Sequence, residues 1–254
     1  MPGSASEQRA KMMLEEPISK VIPRLALPTI VSMLISSVYN MADTYFVSQI
    51  GTSASGAVGV IFSAMSLIQA VAFMFGMGAG TNVSQALGAR DEERAQRFAA
   101  TSFFTAFATG ILIAVVCNLS IDPLVRFLGA TETIAPYAKD YASYIFYAAP
   151  FMMCSFVMNN LLRFEGLAFY GMIGIASGGV LNMVLDPLLI FGLNLGTAGA
   201  AIATAVSQLV SFTILLLMTN RRASAISISW KNFTPTAVIY KKMLSNGFPS
   251  LARQ

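Results

Sequence analysis

The sequence contains no histidine at all. That absence removes Ser-His-Asp triads, HExxH zinc sites and histidine haem ligation from consideration. Only two cysteines occur, Cys117 and Cys154, each inside an apolar run and without a partner at metal-ligand spacing. Neither a disulfide scaffold nor a cysteine-rich zinc site is indicated. Charge is equally scarce: 11% of residues are Asp, Glu, Lys or Arg, against roughly a quarter in soluble domains. What is abundant is apolar surface, with 56% hydrophobic residues and a mean hydropathy of +0.66 over 254 residues. Low-complexity disorder is excluded by the same figures, because disordered chains are poor in Leu, Ile, Val and Phe. The composition is that of a chain built for lipid.

The first residues, MPGSASEQRAKMMLEEPISK, are polar and lack the apolar core and small-residue cleavage site of a secretory signal. Residues 1–24 therefore read as a cytoplasmic tail. Six apolar stretches follow, at about 26–49, 56–82, 98–119, 137–161, 168–192 and 197–219. Each is long enough to cross a hydrocarbon core of ~30 Å as a helix. The fold class expected is thus an all-α membrane protein, with a six-helix lobe over 25–219, an inter-lobe linker over 220–240, and the start of a second lobe over 241–254.

Lys and Arg concentrate on the cytoplasmic side of membrane proteins, and their placement orients the chain. With the N-terminus inside, Arg9, Lys11, Lys20, Arg24, Arg90, Arg94, Arg97, Arg163, Arg221, Arg222, Lys231, Lys241 and Lys242 are cytoplasmic. Only Arg126 and Lys139 fall in outer loops. The net charge of +4 therefore points to a membrane and not to nucleic acid. In the linker, the I-S-I-S-W alternation suggests a short amphipathic piece at the membrane surface, with an ordinary tether as the alternative.

In such a protein the informative residues are polar groups where lipid should be, because an ionisable side chain there costs at least ~2.5 kcal/mol. Asp43 in NMADTYF and Asp186 in NMVLDPLLIFG qualify. Glu165, Asp91, Glu92 and Glu93 read instead as solvated loop charges. Counting ~1.5 Å per helical residue from the outer ends of the first and fifth spans puts Asp43 and Asp186 at one depth. Thr204 in the sixth span and Tyr141 in the fourth fall in the same layer. Asn182 precedes Asp186 by four residues and shares its helix face. Pro187 has no N–H, which releases the carbonyl of Met183. These are all oxygen ligands, suited to a hard cation such as Na+ or to a proton relay.

Other motifs carry less. Gly76, Gly78 and Gly80 form GxGxG without a preceding strand and read as helix packing. Pro150 lies inside the fourth span, where it is a candidate kink. The 15 Met and 18 Phe read mainly as lipid contact and helix packing. Finally, KKMLSNGFPSLARQ echoes PRLALPTIVS at the first span, with Pro249 lying 221 residues after Pro28. A second six-span unit would bring a complete protein to roughly 440 residues, as in parallel-repeat transporters. The chain is accordingly expected to be the first half of a longer protein.

Several of these segments resemble the MATE (multidrug and toxic compound extrusion) family, and within it the DinF and MepA-like branch. The segments are PTIVSMLISSVYNMADTYFVSQIG, QALGARDEERAQR, RFEG and NMVLDPLLIFGLNLGTAGAAIAT. The resemblance covers nearly the whole chain and matches the N-terminal half of a family member. It implies a cation-coupled antiporter of the cytoplasmic membrane that exports cationic or amphipathic organic compounds in exchange for H+ or Na+. It also implies no enzymatic activity, no cofactor beyond the coupling ion, and a partner lobe supplied by the second half. A cation site is implied on the residues matching Asp43, Asn182, Asp186 and Thr204, with Tyr39, Asn40, Tyr141 and Asn159 as neighbours. Bending of the first helix is expected at or near Pro28. Two alternatives stand beside this reading. One is a lipid-linked oligosaccharide flippase of the wider superfamily, disfavoured by the few Arg and Lys in the spans. The other is a non-transporting membrane protein, in which Asp43 and Asp186 would serve as a catalytic dyad or have no transport role.

Overall fold

The structure is a computed structural model that describes residues 15–220 and 224–252. Regular structure among the described residues is helical throughout. Helix α1 spans Ile18–Ser48, α2 Thr52–Gly88, α3 Glu92–Leu119, and a short α4 Ile121–Phe127 caps the outer end of α3. Helix α5 spans Ala135–Phe164, α6 Ala168–Pro187 with a wide π-helical continuation over Leu188–Gly192, and α7 Gly196–Thr219. A single 3-10 turn at Trp230–Asn232 precedes α8, Ala237–Ala252. Six of these helices are long and apolar enough to cross a membrane. They coincide with the six apolar stretches of the sequence, except that α1, α2 and α3 start earlier, by about 8, 4 and 6 residues, and α2 ends about 6 residues later. Polar and proline-containing segments such as Ile18–Leu25 continue the helices past the hydrocarbon, where hydropathy gives no signal.

Local chemistry sets the helix ends. Asp91 caps α3, its carboxylate accepting from the Arg94 backbone N–H at 3.0 Å, and Glu92 and Glu93 sit in the first turn where the helix dipole favours acids. Gly166, with φ of +82°, makes the tight turn from α5 into α6.

The layout is a bundle around one central post. In the most apolar window of α5, 78% of residues are buried, and α5 packs against α2, α3 and α7. Its inward residues include Tyr141, Phe146, Met153 and Leu161, all essentially inaccessible. Helix α1 is the opposite case: it rests mainly on α6, and its only buried residues are Asp43 and Val47. Around the bundle Met41, Leu119, Phe127 and Leu217 stand exposed. An apolar mantle of this extent is untenable in water and matches hydrocarbon.

Arg126 and Lys139, the two cations at the α4–α5 end of the bundle, are both paired, Arg126 with Glu132 at 3.4 Å and Lys139 with Asp122. The opposite end of the bundle, where the linker lies, differs from expectation. Glu165, read from sequence as a solvated loop charge, is buried to 4% exposure and accepts hydrogen bonds from Ser224 Oγ, at 2.7 Å, and from the Ala225 backbone N–H. The linker is consequently neither a surface amphipath nor a loose tether. Gln96 Nε2 donates to the Ala225 carbonyl at 3.5 Å, and Asn232 Nδ2 donates to Gln96 Oε1 at 3.0 Å. The Thr234 N–H donates to Thr101 Oγ1 at 3.2 Å, and Trp230 and Phe233 stack edge-on against Phe104. Sequence periodicity could not show this, because the partners lie about 60 to 135 residues upstream. Arg221 and Arg222 lie outside the described residues.

Helix α8 then packs along α2 at very short range. A Cβ on Gly78 would stand 1.9 Å from the Met243 carbonyl oxygen. The GxGxG run is therefore a packing device, with Gly76 and Gly80 facing Asn160 and Phe164 of α5.

Two outcomes are expected. Glu165→Ala removes both acceptors of the linker, each bond to a charged group being worth ~1.5–3 kcal/mol; limited trypsinolysis in detergent should show cleavage after Lys231 accelerated at least severalfold. Gly78→Leu collides with backbone that cannot swing aside and should destabilise the α2–α8 contact by about 1–3 kcal/mol, read as a lower melting temperature of the purified protein.

Candidate functional site

The site is built where α6 meets α1 and α7. Glycines on α6 permit that meeting: a Cβ on Gly179 would lie 2.9 Å from the Tyr39 ring, and one on Gly178 would lie 2.9 Å from Ser211 Cβ. With no side chain at these two positions, α1 and α7 approach on adjacent faces. One and two turns further along α6 the same faces carry Asn182 and Asp186.

The structure brings the two acids and their sequence-derived neighbours together. Asn182 Nδ2 donates both to Asp186 Oδ1 at 3.2 Å and to Thr204 Oγ1 at 3.3 Å. Tyr141 of α5 donates its hydroxyl to Asp43 Oδ2 at 3.4 Å. Tyr141 feels both carboxylate charges, and the Asp43 charge acts on Asp186. All five residues are buried, Asp186 completely and Asp43 to 8% exposure. Among the described residues, four buried side-chain oxygens have no hydrogen-bond partner: Asp43 Oδ1, Asn182 Oδ1, Asp186 Oδ2 and Ser207 Oγ. Buried oxygens are ordinarily satisfied, and four unsatisfied ones around two carboxylates form an acceptor set that a cation or protons would satisfy.

Ser207 was not singled out from sequence. It stands three residues after Thr204, on the same face of α7, and that spacing was the available signal. Tyr39 and Asn40 lie one turn before Asp43 and line a small cavity of about 50 Å³ together with Asn182, Thr204 and Ser207. Asn159 is not among these residues. It sits 18 positions from Tyr141 on α5, ~27 Å along the axis, and lines a second cavity of about 370 Å³ nearer the C-terminal end of α5. The two cavities share Ser36, Asn40, Gln69, Phe156 and Ile175, so one polar crevice runs along α1 from the acid cluster toward Arg163.

The prolines occupy the ends of this arrangement. Pro28 and Pro23 lie inside an unbroken α1; the proline ring denies a donor to the carbonyl four residues earlier. Ser32, one turn on, donates its hydroxyl to the Pro28 carbonyl at 2.8 Å. Pro187 directly follows Asp186 and marks the change from α-helix to the wide turn over Leu188–Gly192, a form of backbone that recurs at functional sites. Pro150 lies within α5 where α3 presses closest: a Cβ on Gly110 would be 2.5 Å from its Cα. Cys117 and Cys154 are both free, and no cluster of three His, Cys, Asp or Glu side chains occurs among the described residues.

Known proteins share this fold. The chain is 29% identical over 237 residues to the multidrug export protein MepA of Staphylococcus haemolyticus, a match covering 93% of this chain and 52% of that protein. It is 26% identical over 237 residues to MepA of Staphylococcus aureus, with the same coverage of both chains. A MOP superfamily transporter from Pyrococcus furiosus superposes with a TM-score of 0.87 at 32% identity, over 96% of this chain and 54% of that one. A structure of MATE in the straight conformation gives a TM-score of 0.88 at 32% identity, over 96% and 55%. The chain thus spans about half the length of these relatives. The MatE family profile matches residues 28–188, which runs from the first membrane helix through Asp186 and covers well over half of the sequence. Profile, relatives and superposition agree, and the chain belongs to the MatE family, with the fold of the six-helix lobe of a MATE transporter.

Proposed function

We propose that the complete protein is an antiporter of the cytoplasmic membrane, exporting amphipathic organic compounds in exchange for H+ or Na+. The observation that carries this reading is the set of four unpartnered buried oxygens around Asp43 and Asp186. Two carboxylates buried together in an apolar bundle need a counter-charge. A proton on one of them, or a metal cation held among their free oxygens with Asn182 Oδ1 and Ser207 Oγ, supplies it. Kinship with proteins named as multidrug exporters supports the direction and the cargo class. In the proposed orientation the N-terminus and the docked linker are cytoplasmic, since most Lys and Arg gather at that end while only Arg126 and Lys139 lie in the loops of the other. Domain limits of 1–24 for the tail, 25–219 for the lobe, 220–240 for the linker and 241 onward for the second lobe accompany this reading.

The cycle follows from charge balance. With the cavity open outward, a cation entering the cluster cancels the repulsion between Asp43 and Asp186. Helix α1, held by few contacts other than α6, then shifts its position, with the hydrogen bond missing at Pro28 making that turn the natural hinge, and disfavours compound bound along its inner face. Return to the inward-open state releases the cation. The ion biases an existing equilibrium between two states, and the membrane gradient drives it in one direction.

Substitutions in the complete gene product test this. Asp43→Asn and Asp186→Asn should each reduce drug efflux from an efflux-deficient host to the empty-vector level, with normal expression and a monodisperse gel-filtration profile. Retention of full resistance by either variant removes that carboxylate from the mechanism. Thr204→Val and Ser207→Ala remove one oxygen each and should weaken the coupling ion by roughly tenfold, the equivalent of one hydrogen bond to a charged group. In proteoliposomes, efflux under an imposed pH gradient or an imposed Na+ gradient identifies the ion and gives its half-saturating concentration.

A further inference from the structure

The larger cavity holds one charged side chain, and it is basic. Arg163, in the last turn of α5, lines the cytoplasmic end of the 370 Å³ crevice with Asn159, Thr29, Ser32, Phe73 and Met33. Neither cavity has a carboxylate in its lining; Asp43 and Asp186 stand behind it. The guanidinium is half-buried, and its one hydrogen bond is a long one, from Nη1 to Asn160 Oδ1 at 3.4 Å. No carboxylate among the described residues pairs with it. Asn160 is fully buried and fixed in turn, its Nδ2 donating to the Phe156 carbonyl at 2.8 Å, so it orients the arginine without satisfying it. Glu165, two residues on, turns to Ser224 and Ala225 of the linker.

An arginine whose role is only to mark the inner face of a membrane extends into water. Arg163 instead lies against a polar crevice with most of its five donors uncommitted. We infer that Arg163 is a specificity-determining residue of the transport site, binding the carboxylate of an amphipathic, carboxylate-bearing compound. This rests on the export reading and refines its cargo from compounds that are merely cationic. A planar carboxylate matches the guanidinium fork in a bidentate pair. A phosphate dianion would call for a second cation, which the lining lacks. The apolar part of the cargo lies against Phe73, Phe156 and Met33. Thr29 and Ser32 have donated their hydrogens to the Leu25 and Pro28 carbonyls, which leaves Arg163, the amides of Asn159, Gln69 and Asn40 and the hydroxyls of Ser36 and Ser37 as donors, with Arg163 the only cation among them.

The test measures binding of ciprofloxacin and of its methyl ester to the complete, detergent-solubilised protein by drug fluorescence anisotropy, a readout independent of ion coupling. Wild type should prefer the acid. Arg163→Gln should lower the acid-to-ester affinity ratio by roughly tenfold, as expected for loss of charge-assisted hydrogen bonds. Arg163→Lys, which preserves charge and bulk, carries the measurement if the glutamine variant does not fold, and should lower the ratio at least threefold because a point charge replaces the fork. A wild-type protein without preference for the acid, or an unchanged ratio in the variants, overturns the inference. Equal weakening of both ligands assigns Arg163 to structure and overturns it as well. The export reading is decided separately, by the efflux of Asp43→Asn.

Discussion

Burial of two like charges in a low-dielectric bundle is the constraint on which this lobe turns. Asp43 and Asp186 sit on different helices, and hydrogen bonds from Tyr141 and Asn182 reach only one oxygen of each. An arrangement of this kind is costly unless something positive joins it. The cost is concentrated where α1 meets α6, and α1 is the least packed of the six long apolar helices. The electrostatic balance of the cluster and the position of α1 are therefore parts of one equilibrium.

The rest of the bundle is arranged to keep that equilibrium local. Helix α5 is locked between α2, α3 and α7 and brings Tyr141 into the cluster from a position that cannot move easily. Glycines at 178 and 179 bring α1 and α7 against α6 while leaving the polar residues one and two turns further on to face each other. Polar side chains continue from the cluster along α1, through Asn40 and Ser36, to the crevice that ends at Arg163. The two cavities thus share lining residues, and on the proposed function this is the physical prerequisite for ion and cargo to influence each other.

Much of this was legible in the sequence, for physical reasons. Long apolar runs force spanning helices because backbone polar groups have no other partners in lipid. Counting rise per residue from span ends placed Asp43, Asp186, Tyr141 and Thr204 in one layer, and the i, i+4 relation placed Asn182 beside Asp186. What was not legible depended on contacts between remote segments. Glu165 looks like a loop acid until Ser224 and Ala225 fold back onto it, some 60 residues later. Ser207 escaped notice because serine in a membrane helix usually bonds its own backbone, and only burial beside Thr204 distinguishes it.

The docked linker bears on how such a chain is made. Its partners, Gln96, Thr101, Phe104 and Glu165, all precede it in sequence. By the time residues 224–236 leave the ribosome, their binding surface has already been synthesised and inserted. The strap can therefore close on the lobe during translation, without waiting for any later residue. Folding of this half is then separated in time from the assembly of whatever follows α8, and the position of α8 on α2 is set before a second bundle exists to compete for it.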